Sequence, residues 1–311
     1  MVLQRLARSR SAWAPLLGSR ASARQFHASI PTSLHEVPNL IYKEEFEEKG
    51  VAGFLNEESY DIAYNKNMAF LVDRLNKATK GTDHENSTTK QLVLSLARNP
   101  TMASVFAAAS MAHNTHFFFD SLSPSLENNS LEQYPVLRDA LIKSFGSIDT
   151  LWRTMLTTAN AMTGPGFVWL VQAKHRATSS AGNTSSLPEY RILTTYNAGT
   201  PYPEAIYRQQ GVDQNTAIGY NGSAGSFGST SARGREAPKL PPGTELITPA
   251  LCVSTWEHCY LPQYGVDGKA KYLIEWWKSI NWGAVDNRVE KRQKLGDNSR
   301  FDTGPGLFKT G

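Results

Sequence analysis

Among the 311 residues, the seven histidines and two cysteines are the side chains best suited to bind a metal or carry a redox step, and only a few stand near one another. His258 lies in the run Ser254-Thr255-Trp256-Glu257-His258-Cys259-Tyr260, beside a carboxylate that could hold its imidazole. His113 and His116 are three apart, the separation that puts two side chains on one helix face. With no third acidic or Cys ligand nearby, His113 and His116 read as core or surface histidines rather than as a metal pair. Cys252 and Cys259 stand seven apart among apolar neighbours and read as small buried side chains rather than a redox couple. Two cysteines make neither a secreted disulfide scaffold nor a four-ligand zinc site, which points to a reducing compartment. No phosphate loop, dinucleotide fingerprint or nucleophile elbow occurs between a strand and a helix. The tryptophans at 276, 277 and 282 read as core rather than as a nucleotide platform.

The elements that must position these groups follow from composition and periodicity. With 40% hydrophobic and 10% aromatic residues, the chain can bury a large core. No apolar run is long enough to span a membrane. The net charge of +4 invites a nucleic-acid partner, but five arginines in the first 35 residues account for it, leaving 27 basic against 28 acidic residues in the rest. That leader (1–33) has arginines among Ser, Ala and scattered apolar residues, no acid and no signal-peptide core, and reads as a mitochondrial transit peptide. A basic arm retained for RNA contact is the alternative.

From Phe46 to Asn76 the apolar spacing predicts a helix, followed by a polar loop over 77–90 and a second, unusually apolar helix over 92–122. Helices are predicted at 136–145 and 148–161, the second capped by Ser147. Strands are predicted at 167–171, 190–196 and 246–253, the first two joined by a loop at 177–186, with a further helix at 272–280. Helices first and strands later indicate α+β. Residues 205–245 are a Gly/Ser-rich insert too polar to order by themselves, and 286–311 a polar tail with Phe301 and Phe308. In the insert, Tyr207, Tyr220, Phe227, Arg233 and Arg235 are candidate anchors to a partner; a loop without function is the competing reading.

The run Ser254 to Tyr260, with Tyr272, Trp276 and Ile280-Asn281-Trp282, closely resembles the C-terminal signature of the iron/manganese superoxide dismutases, D-x-W-E-H-A-Y leading to I-N-W. Phe145-Gly146-Ser147-x-Asp149, Gly164-x-Gly166-Phe167-Val168-Trp169-Leu170 and Leu122-Ser123-Pro124 match further motifs of that family in order. The resemblance spans about residues 38–285. It implies an N-terminal helical hairpin (38–124), then a C-terminal α+β domain (125–285) with a three-stranded antiparallel sheet.

In that family one iron or manganese ion is held by three histidines and an aspartate. Counted off the motifs, these positions are Ala63, Thr115 (with His116 one residue away), Ser254 and His258. The gateway tyrosine falls on Leu71, and the outer-sphere glutamine near Asn197-Ala198. At most two ligands remain, so the resemblance implies no cofactor and no dismutase activity. Trp256, Glu257, His258 and Tyr260 become interface candidates, because the family's glutamate reaches across a dimer. The sequence also resembles the dismutase-like proteins of the fungal mitochondrial small ribosomal subunit. That resemblance implies a structural, matrix-located protein contacting other ribosomal proteins, a related chain as heterodimer, and some rRNA. A divergent dismutase and a free mitochondrial binding protein are the competing readings.

Overall fold

A computed structural model describes residues 35–126, 130–173, 189–206 and 247–289. The leader 1–33, the join at 177–186, nearly all of the insert at 205–245 and the tail beyond 289 lie outside the described residues.

Helix α1 (Lys43–Lys49) stops at Gly50, whose φ is 72°. A Cβ there would meet the Leu55 carbonyl oxygen at 2.2 Å, so only glycine fits. The chain then closes a tight bridge between Val51 and Leu55. Helix α2 (Glu57–Tyr60) starts at Asn56, whose side chain accepts from Ser59 N, and runs through a π-turn (Asp61–Lys66) into α3 (Asn67–Thr79). The single helix expected over 46–76 is therefore interrupted at Gly50. The buried face of α3 is Met68, Leu71, Val72 and Leu75, as the spacing predicts.

The long helix expected over 92–122 is two helices. Helix α4 (Thr89–Leu96) opens on a capping box between Thr88 and Gln91, and α5 (Ala103–Phe119) is entered through a 3-10 turn at Pro100–Met102. Pro100 pushes Asn99 into extended backbone, and the Asn99 side chain caps Thr101 N. From Ala108 onward α5 is buried on every side, which its composition anticipated.

Helix α6 (Pro135–Phe145) precedes α7 (Ile148–Ala161), and Ser147 Oγ accepts from Thr150 N at 3.0 Å to cap the second. Strands β1 (Gly166–Ala173), β2 (Glu189–Tyr196) and β3 (Ile247–Ser254) form one antiparallel sheet in the order β2-β1-β3. The short α8 (Pro203–Ile206) follows β2. Helices α9 (Glu257–Tyr264), α10 (Lys269–Lys278) and α11 (Trp282–Arg288) follow β3. The helix expected at 272–280 thus begins earlier and ends before Ile280, which instead bridges to Leu122.

All of β1 is buried, as its β-branched and aromatic text requires. The main core draws on both halves of the chain, with Phe54, Tyr60 and Phe118 joining Trp169, Tyr272 and Trp276. Leu75, Leu92, Val93, Val105, Tyr202 and Ala205 form a second, smaller cluster between α3, α4, α5 and α8.

Candidate functional site

The family's four ligand positions lie on elements that pack together. The π-turn carrying Ala63 touches α5 and α9, and β3, which ends at Ser254, lies along α5. Ala63, Thr115 and Ser254 are all buried. Ala63 offers no donor atom, and Thr115 and Ser254 offer neutral hydroxyls where the family has an imidazole and a carboxylate. These residues do not fit a redox metal. Among the described residues no group of three or more His, Cys, Asp or Glu could hold an ion.

Bonds within the chain occupy the neighbouring polar groups. Helix α5 runs unbroken through Thr115 and His116, so the one-residue offset turns His116 by about 100° from the ligand direction. His116 Nδ1 lies 3.0 Å from the Tyr64 hydroxyl, which also bonds the Pro38 carbonyl at 2.9 Å. A phenol has one proton. If it goes to Pro38, the oxygen accepts from His116 Nδ1–H. Burial, helped by Arg288, holds the His116 pKa down to about 3, so the ring is neutral. Burial pushes the Tyr64 pKa up, keeping the hydroxyl protonated.

His258 Nε2 lies 3.3 Å from the Asn67 amide nitrogen, which can only donate, so Nε2 presents its lone pair to Asn67. Burial lowers the His258 pKa against the opposing pull of Glu257. The lone pair a metal would need is already engaged. Ser254 Oγ accepts from Trp256 N at 3.3 Å and lies 3.3 Å from Cys259 Sγ. Burial pushes the Cys259 thiol up to about 12 and the Cys252 thiol well above its usual range, so neither is a thiolate ligand or nucleophile. Both are free and buried, as their neighbours predicted.

His113 and His116 do not converge. His113 Nε2 meets the Tyr202 hydroxyl at 2.9 Å, whereas His116 meets Tyr64. Asn197 takes the turn after β2 with φ 51°, and Leu71 is buried. Of the interface candidates, Trp256, Glu257 and His258 are half-buried and adjacent, with the first and third rings 5.7 Å apart. Tyr260 is buried beneath them, its ring 5.7 Å from Tyr272.

Three residues outside the sequence reading shape this region. Tyr64 was legible only as part of an apolar face, and Asn67 carried no local signal. Arg288 sends its guanidinium to Asp120 at 2.5 Å, to Ser121 Oγ at 2.6 Å and to Ala250 O at 3.3 Å. It also lies 4.1 Å from the centre of the Phe117 ring.

The family model for the C-terminal domain of iron/manganese superoxide dismutases matches residues 227–288. The chain is 26% identical over 260 residues to small ribosomal subunit protein mS43 of Schizosaccharomyces pombe, spanning 82% of this chain and 84% of that protein. It is 27% identical over 245 residues to small ribosomal subunit protein mS42 of the same organism, spanning 78% and 91%. To the iron superoxide dismutase of Babesia bovis it is 24% identical over 236 residues, spanning 76% and 88%. The α+β architecture with its three-stranded antiparallel sheet is dismutase-like. The chain is similar both to these ribosomal proteins and to the dismutases.

Proposed function

We propose that this chain is a structural protein of the mitochondrial small ribosomal subunit, using a catalytically inactive dismutase-like fold for protein contacts and some rRNA contact. The observation that carries the reading is the similarity to two small-subunit ribosomal proteins over about four-fifths of the chain. The replaced ligand positions support it, since a protein without redox chemistry has no use for Asp at 254 or His at 63 and 115. The basic, Ser/Ala-rich leader supports a mitochondrial matrix location.

Its partners are other small-subunit proteins, foremost a related dismutase-like chain. The half-buried Trp256, Glu257 and His258 supply an aromatic, an anion and an imidazole for that contact, and Tyr260 holds them from below. Near-neutral charge outside the leader favours protein contact over extensive rRNA contact. A divergent dismutase is the competing reading, favoured by the iron superoxide dismutase relatives.

Sedimentation of a mitochondrial lysate tests the reading, with metal analysis of the purified chain alongside. The expected result is migration with the small subunit and far less than one iron or manganese per chain. Migration as a free protein would overturn the ribosomal assignment. Near-stoichiometric metal with superoxide turnover would replace it with the enzyme.

A further inference from the structure

Three side chains on one face of α5 bring buried polar atoms into the protein and leave them without a hydrogen-bond partner: Ser110 Oγ, His113 Nδ1 and Asn114 Oδ1. None of the three residues is more than 1% exposed. The other polar atoms of His113 and Asn114 are engaged: His113 Nε2 bonds the Tyr202 hydroxyl at 2.9 Å, and Asn114 Nδ2 donates to Gly199 O at 2.8 Å. These two side chains are therefore held in place and cannot turn to find other partners without breaking those bonds.

Their spacing converges. Residues three and four apart share a helix face, and helical side chains lean toward the N-terminus over the preceding turn. By that rule His113 and Asn114 share the Ser110 face of the helix, and serine is the smallest of the three side chains. We propose that this face of α5 holds one internal water molecule, bonded by Ser110, His113 and Asn114. A buried water makes roughly two to four hydrogen bonds to groups otherwise unsatisfied, and three such groups meet here.

Charge decides for water over an ion. A cation would be surrounded by neutral donors with no carboxylate, in a field made positive by Lys90 and Arg288, the charges that join burial in depressing His113. Lys90 Nζ itself lies 4.9 Å from the Tyr202 ring centre. Water also suits either neutral form of the imidazole. If Tyr202 donates to Nε2, then Nδ1 carries the proton and donates to the water, which donates onward to Asn114 Oδ1 and Ser110 Oγ. If Nε2 donates to Tyr202, the water donates to Nδ1 and Asn114 and accepts from Ser110. The water would sit beneath the segment from Gly199 to Tyr202, coupling α5 to the stem from which the Gly/Ser-rich insert departs.

A high-resolution crystal structure of the full chain, with water-to-protein magnetisation transfer in solution, tests the site. The expected result is a single peak about 2.7–3.2 Å from all three atoms, without anomalous scattering, and a long-lived water signal at the His113 ring. Ser110→Val, whose branched methyls fill the space, should abolish both. A peak with anomalous scattering and bound metal would overturn the proposal in favour of an ion. Absence of both peak and signal in the unmodified chain would overturn it outright. That measurement decides the matter even if the valine variant does not fold.

Discussion

The start of β1 and the cluster around Ala63, Thr115 and Ser254 both lie in the buried core, yet their residues are constrained in different ways. At Gly166 a Cβ would meet Thr195 O at 2.2 Å and Met162 Cε at 2.7 Å, so the strand can pass its neighbour only as glycine. Thr255 N donates to Gly166 O at 2.9 Å, and Trp169 Nε1 donates to Thr195 Oγ1 at 2.9 Å while its ring packs 5.4 Å from Phe117. These residues work by shape, and shape is needed as long as the fold is. Ala63, Thr115 and Ser254 stand where the resemblance to the dismutases puts metal ligands. Around them the polar groups pair inside the chain, Tyr64 with His116, Asn67 with His258, and Ser254 with Cys259. A buried polar cluster needs no ion if each of its groups finds a bond within the chain.

The sharpest break of this contrast is Gly166→Val. Its side chain must enter backbone rather than a yielding side chain, so the loss should reach about 4 kcal/mol, beyond ordinary overpacking. Denaturant unfolding of the purified variant would check it. Stability within 1 kcal/mol of the parent, on the order of a surface change, would show that the strand has slack.

Acid probes the other region. His113 and His116 have folded-state pKa values of about 3 against an ordinary 6.5. Below 6.5 the unfolded chain therefore binds protons that the folded chain refuses. Stability is intact above that pH and is lost as pH falls from 6.5 toward 3. From pH 7 to pH 5 each ring should cost about 2 kcal/mol, and His35 and His258, also lowered by burial, add in the same direction. Unfolding curves at both pH values check the slope, and His116→Gln should remove roughly half of the part due to the two α5 rings.

A smaller effect is expected where the two regions are joined. Arg288 links α11 to the end of α5 and to β3; its side chain is 17% exposed and that of Asp120 30%. Arg288→Ala strands the carboxylate and uncovers Phe117, for about 2 kcal/mol after allowing for the partial exposure. A melting temperature unchanged from the parent would mean that solvent satisfies Asp120 as well as the guanidinium does.

How far the sequence reaches differs between the same two regions. Helix α7 and its Ser147 cap, strand β2 and the burial of β1 are legible because the signals are local: a capping residue, a period, a β-branched run. The break before α5 is obscured because apolar residues recur on both sides of it, and only the short run Arg98-Asn99-Pro100-Thr101 marks it. The pairings around Ala63, Thr115 and Ser254 could not be read at all. Tyr64 meets a residue 52 positions away, and Asn67 one 191 positions away. Pairings at such separations depend on how helices cross, which no local pattern encodes.

The least costly change bears most directly on what holds the region around Ala63 and His116 together. Tyr64→Phe keeps the ring that packs tilted against Phe119, 5.0 Å between centres, and removes only the hydroxyl. His116 Nδ1 and the Pro38 carbonyl then lose a shared partner, a penalty of about 1.5 kcal/mol if one of them finds solvent. The effect should depend on His116. In a chain already carrying His116→Leu, the hydroxyl has only Pro38 to satisfy, so Tyr64→Phe should cost less, with a coupling of about 1 kcal/mol across the double-mutant cycle. Chemical denaturation of the four chains at pH 7.5, where the rings are neutral, measures it. A coupling near zero would mean that aromatic packing alone closes the region, and that the Tyr64–His116 bond is incidental.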